Sequence, residues 1–109
     1  MNSQVKKERV AIGTIRQLEE KGKLIARLED GLEVAVFKKS DHSLAAVENY
    51  CPHKGGPLAL GKLKWETVVC PWHGFRFDIS SGTCADTQSI LKARTFSVLV
   101  SEETVYIER

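Results

Sequence analysis

Two cysteines and two histidines stand out in this sequence by their alternation: Cys51-x-His53, sixteen intervening residues, then Cys70-x-x-His73. Each pair is near enough in sequence for both side chains to reach one centre. Pro52, Gly55, Gly56 and Pro57 surround the first pair, and Pro71 and Gly74 the second. Proline and glycine punctuate strands, and loops on a rigid scaffold carry chemistry. Incidental core cysteines and histidines would not be expected to sit in such loops twice. Two Cys and two His can close a tetrahedral zinc site, and a zinc-stabilised binding module is one reading. Zinc fingers, however, join Cys to Cys and His to His, whereas here each loop offers one of each. That alternation suits a two-iron centre in which each loop gives one ligand to each iron, thiolates to one and imidazoles to the other.

The stretch Cys51-Pro52-His53-Lys54-Gly55-Gly56-Pro57-Leu58, followed by Cys70-Pro71-Trp72-His73-Gly74-Phe75-Arg76-Phe77-Asp78 and Ser81-Gly82, resembles the cluster-binding part of the Rieske family. The resemblance implies one 2Fe-2S cluster held by Cys51, His53, Cys70 and His73, with the histidines bound through Nδ1 at an exposed tip. It implies an all-β fold, an antiparallel sandwich or barrel carrying a loop-rich cluster-binding subdomain over about residues 49–80 of a single domain 1–109. Neutral imidazoles in place of two thiolates make the cluster less negative, so its potential should exceed that of four-Cys ferredoxins. Members from respiratory and photosynthetic complexes carry a loop-to-loop disulfide at the positions matching Gly56 and Trp72. Those members also place a Ser and a Tyr hydroxyl at the positions matching Phe75 and Phe77. Without these groups the chain resembles a soluble, low-potential ferredoxin, in the lower part of the family's span of roughly −150 to +300 mV.

For partners, the resemblance implies a flavoprotein reductase as electron donor and a terminal oxygenase as acceptor, so the chain reads as an electron-transfer protein with no catalytic residues of its own. The alternative within the family is the iron-sulfur small subunit of an assimilatory nitrite reductase. A mononuclear-iron domain, which a complete oxygenase needs, has no room in 109 residues. The family's third loop usually bears Pro, and Thr87-Gln88-Ser89-Ile90-Leu91 has none. Cys84 reads as a small core residue, Trp72 as packing over the loops, and His42 as a solvated turn residue. Lys54, Lys62, Lys64 and Arg76 surround the expected tip, where an acidic partner could dock.

The elements that position these loops read as mostly antiparallel β-structure: short runs rich in Val, Ile, Leu, Thr and Phe, separated by turn signals. Strands are predicted near 10–15, 23–29, 33–38, 43–48, 67–70, 75–78, 94–100 and 104–108. Phe96, Val98 and Val100 share one face, and Val105 and Ile107 share a face of the next strand, with the period of two that a half-buried sheet requires. Turns are expected at Asp30-Gly31, Ser40-Asp41-His42 and Ser101-Glu102-Glu103. Thr14 to Lys23 is open to a short helix ending before Gly22.

Composition narrows the class. The chain is 42% apolar and 28% charged, as an ordinary folded domain is. A net charge of +2, from 16 basic and 14 acidic side chains, is too balanced for the footprint of nucleic-acid binding. The N-terminal residues form no apolar run of signal-peptide kind, and no run is long enough to span a bilayer, so a cytoplasmic location is expected. An odd set of three cysteines favours metal binding over a structural disulfide.

Overall fold

Thr14 ends the first strand and caps a helix. Its side-chain oxygen accepts from the Gln17 N–H at 3.1 Å, while the Gln17 side chain accepts from the Thr14 N–H at 2.9 Å. This reciprocal cap satisfies two otherwise unpaired N–H groups. At the other end Gly22, with φ +77°, donates its N–H to the Leu18 carbonyl, a left-handed stop that glycine adopts without strain. Caps at both ends settle Ile15–Lys21 as helix α1, which buries Leu18.

The computed structural model describes residues 8–52, 55–72, 74–85 and 91–109. Around α1 lie β1 (Arg9–Thr14), β2 (Lys23–Arg27), β3 (Glu33–Lys38), β4 (Leu44–Glu48), β5 (Lys62–Lys64), β6 (Thr67–Val69), β7 (Arg76–Asp78), β8 (Thr95–Ser101) and β9 (Thr104–Glu108), with a 3-10 turn at Leu58–Leu60. Six strands form one antiparallel sheet in the order β1-β9-β8-β4-β3-β2, and three form a second in the order β5-β6-β7. The end strands β1 and β2 lie close together, so the large sheet curls toward a barrel. The fold is all-β apart from α1 and the 3-10 turn, and each predicted strand is present within two residues of its expected limits. Strand β5 is additional; its single apolar residue, Leu63, between two lysines gave no alternation to read.

Two cores share the middle strands. Val34 and Val36 of β3 and Ala46 of β4 point into the barrel with Leu18, Leu24, Val105 and Ile107. The opposite face of the same strands, Ala35 and Phe37 of β3 with Ala45 and Val47 of β4, packs against Leu58, Ala59, Val68, Phe77, Ile79, Cys51 and Cys70. Covering on both faces is why Val34-Ala35-Val36-Phe37 is an unbroken apolar run. The small sheet and its loops therefore lean on the outer side of β3 and β4. The segment that makes them leaves β4 and returns into β8 side by side: Ala46 pairs with Phe96, Val47 with Thr95, and the Glu48 N–H donates to the Arg94 carbonyl at 2.8 Å.

Turn residues are where expected. Glu102 and Glu103 both have positive φ, 49° and 75°, between paired Ser101 and Thr104, the two-residue turn whose twist suits a hairpin. Val100 shares the face of Phe96 and Val98 but sits near the open end of β8, 49% exposed.

Candidate metal centre

Cys51 and Cys70 open two loops of the same construction. In the first, the Cys51 N–H donates to the Gly56 carbonyl at 2.7 Å and the Gly55 N–H donates to the Cys51 carbonyl at 2.7 Å. In the second, the Cys70 N–H donates to the Phe75 carbonyl at 2.7 Å and the Gly74 N–H donates to the Cys70 carbonyl at 3.0 Å. Each loop thus closes on its cysteine with the same two bonds at the same spacing. Gly55 (φ +81°) and Gly74 (φ +74°) occupy equivalent places, the fourth residue after each cysteine, in a conformation side chains other than glycine's rarely adopt.

The loops meet at Gly56. A Cβ added there would lie 3.2 Å from the Cys70 Sγ and 3.0 and 3.1 Å from Cδ2 and Cγ of Trp72. The first loop is therefore pressed against the thiol and the indole of the second. Trp72 packs over the loop junction as expected from the sequence, yet 58% of it stays exposed. Both cysteines are buried, at 0% and 1% exposure, among Leu58, Val68, Phe77 and Ile79. Water is thereby kept from the side where the thiols enter. Two buried thiols, brought together on matched glycine-bearing loops, suit a soft metal group that needs thiolates and close backbone approach.

His53 and His73, the other two predicted ligands, lie outside the described residues, as do Lys54 and residues 86–90 of the third loop. Leu91, the last residue of that loop, packs on the same core as the cysteines, and so does half-buried Cys84. Lys62, Lys64 and Arg76 are exposed, and His42 is an exposed turn residue with φ +71°.

The turn that follows β7 is built on Asp78. Burial pushes its carboxyl up, but the Ser81 and Ser80 N–H groups, donating to Oδ1 at 2.8 and 2.9 Å, outweigh that and hold it below the ordinary 3.8. Gly82 follows with φ +81°, so close to the returning chain that a Cβ would stand 2.1 Å from the Ala93 carbonyl oxygen.

Sequence reading did not single out Asn49, Lys23 or Ala59. Asn49 Oδ1 accepts from the Ala59 N–H at 2.7 Å, and the Lys23 ammonium donates to the Ala59 carbonyl. An asparagine two residues before Cys51, a predicted ligand, was the available signal for the first. Nothing local marks the second.

Among the described residues no helix is long and apolar enough to cross a membrane. The family model described as "Rieske [2Fe-2S] domain" matches residues 8–97. Human apoptosis-inducing factor 3 is 35% identical over 80 residues, which are 73% of this chain and 13% of that protein. The ferredoxin of carbazole 1,9a-dioxygenase from Nocardioides aromaticivorans IC177 superposes with a TM-score of 0.78 at 28% identity, covering 91% of this chain and 95% of that one. A putative NADH-dependent nitrite reductase small subunit from Mycobacterium tuberculosis shares the fold, with a TM-score of 0.84 at 22% identity over 96% and 97% of the two chains. The matched loops, the buried cysteines and the family model agree: the chain belongs to the Rieske [2Fe-2S] family, with one cluster of that type as its cofactor.

Proposed function

We propose that this chain carries single electrons, with the Cys51 and Cys70 thiolates holding one iron and ring nitrogens of His53 and His73 the other. The observation that carries the reading is the meeting of two equivalent, glycine-bearing loops at Gly56, with both cysteines buried in one core cluster. When bound, the cluster supplies one site that gains and loses a single electron. The chain's own part is to hold its ligands in fixed places and to keep water from the thiol side. Leu58, Val68, Phe77 and Ile79 do the second. A fixed ligand frame keeps the structural change on electron transfer small, which is what a carrier needs.

A flavoprotein reductase is the proposed donor and a terminal oxygenase the proposed acceptor. The likeness to a ferredoxin of a dioxygenase supports this pairing. Exposed Lys62, Lys64 and Arg76 fit an acidic docking face on such a partner.

The experiment is iron and acid-labile sulfide analysis with an electron paramagnetic resonance spectrum of the reduced protein. About two iron and two sulfide per chain are expected. Cys51→Ala, Cys70→Ala, His53→Ala and His73→Ala should each abolish the spectrum, and His42→Ala should leave it intact. Stoichiometric zinc without labile sulfide, in protein made with active cluster assembly, would overturn the reading.

A further inference from the structure

We infer that Asn49 is a positioning residue for the cluster: its bond to Ala59 closes the neck of the Cys51 loop and so sets where the Cys51 sulfur stands. The inference rests on Cys51 being a ligand, as proposed above. The two cysteine loops are alike within themselves but not at their bases. The second rises between β6 and β7, whose Val69–Arg76 pairing closes it from below. Among the described residues the first has no strand pair beneath it, since the chain leaves β4 at Glu48 and continues into the 3-10 turn Leu58–Leu60.

Asn49, just past β4, and Lys23 of β2 take the place of that missing pair. Asn49 Oδ1 accepts from the Ala59 N–H at 2.7 Å, its Nδ2 donates to Glu33 Oε1 at 3.2 Å, and its own N–H donates to the Glu33 carbonyl at 2.9 Å. The amide orientation is fixed by these partners, because the Ala59 N–H can only donate and the Glu33 carboxylate can only accept. Lys23 on β2 donates to the Ala59 carbonyl. Ala59 is fully buried, and both its polar groups are thus met by the side chains of Asn49 and Lys23. Leaving a buried amide unpaired would be costly. Opening the neck would remove the bonds that tie the end of the Cys51 loop back to β2 and to the residue after β4.

The test compares holoprotein variants by three readouts: bleaching rate in an iron chelator, g-values of the reduced cluster, and thermal midpoint by circular dichroism. Asn49→Ala should bleach about tenfold faster, the cost of leaving the buried Ala59 N–H unpaired, with shifted g-values. Asn49→Asp should behave likewise, since it sets a carboxylate against Glu33. Asn49→Asp combined with Glu33→Gln reverses donor and acceptor while keeping the Ala59 bond, and should recover both cluster readouts. Lys23→Met, which removes one bond, should bleach about fivefold faster.

Wild-type bleaching and g-values in Asn49→Ala would overturn the inference. So would a lowered thermal midpoint with both cluster readouts unchanged, or a folded double variant that recovers neither. If Asn49→Ala does not fold, Lys23→Met decides by the same two cluster readouts. A cluster retained in Cys51→Ala would overturn the ligand reading instead; a cluster lost there but unaltered in Asn49→Ala would overturn the clamp alone.

Discussion

Gly56 sets how near the two cysteine loops can come. An alanine methyl there would meet the indole of Trp72 and the sulfur of Cys70 at 3.0 to 3.2 Å, tighter than ordinary van der Waals contact. The indole is largely exposed and can swing away, whereas the buried sulfur cannot. Gly56→Ala should therefore speed cluster loss in a chelator, and adding Trp72→Ala should recover part of the effect by removing two of the three close contacts. Equal bleaching of Gly56→Ala and wild type would show that the loops have slack. At Phe75, half-buried at the edge of the core, a hydroxyl can be introduced without a buried orphan. Phe75→Ser should raise the reduction potential, read by voltammetry, because a donor near the cluster favours the more negative reduced state. Phe77 does not offer the same chance: it is fully buried, and a tyrosine hydroxyl there would need a partner of its own.

At the scale of elements, the turn into β5 is the tightest point. A Cβ on Gly61 would stand 1.9 Å from the Val69 carbonyl oxygen. That obstacle is backbone, so β6 would have to move and take Cys70 with it. Gly61→Ala should cost about 3 kcal/mol or more, as severe overpacking does, in denaturant unfolding followed by circular dichroism, and should impair cluster retention. A loss under half of that would mean the 3-10 turn shifts freely. The contrast between legible and illegible elements has the same physical root. Strands β8 and β9 alternate and could be read, and the cysteine loops announce themselves because Pro, Gly, Cys and His lie within a few residues of one another. Strand β3 does not alternate, because it is buried on both faces. Helix α1 stayed ambiguous in the sequence because its two caps, the reciprocal Thr14–Gln17 pair and the Gly22 stop, decide it. The Ala59 clamp joins residues 10 and 36 positions apart, and no local pattern encodes that.

Over the whole molecule, acid should act through carboxylates tied in the fold. Asp30, in the β2–β3 turn, accepts from the Arg109 guanidinium at 2.6 Å, and this bond, with the Leu32 N–H, holds its carboxyl below the ordinary 3.8. Asp78 is lowered as well. A carboxyl whose folded value is depressed stabilises the fold above its unfolded value and loses that contribution as pH falls through the folded one. Thermal midpoints should thus fall as pH is taken below 3.8, and Asp78→Asn should weaken that dependence; an unchanged acid profile would deny Asp78 the role. The outer face of β3 and β4 carries a different consequence. Ala35, Phe37, Ala45 and Val47 are hidden only because the cysteine-bearing segment lies over them. If the metal group is one of the ties that keep this cover in place, a chain that loses it presents an adhesive strip to its neighbours. Newly made, metal-starved chains should then self-associate and light up a hydrophobic dye, while loaded chains stay monodisperse at the same concentration.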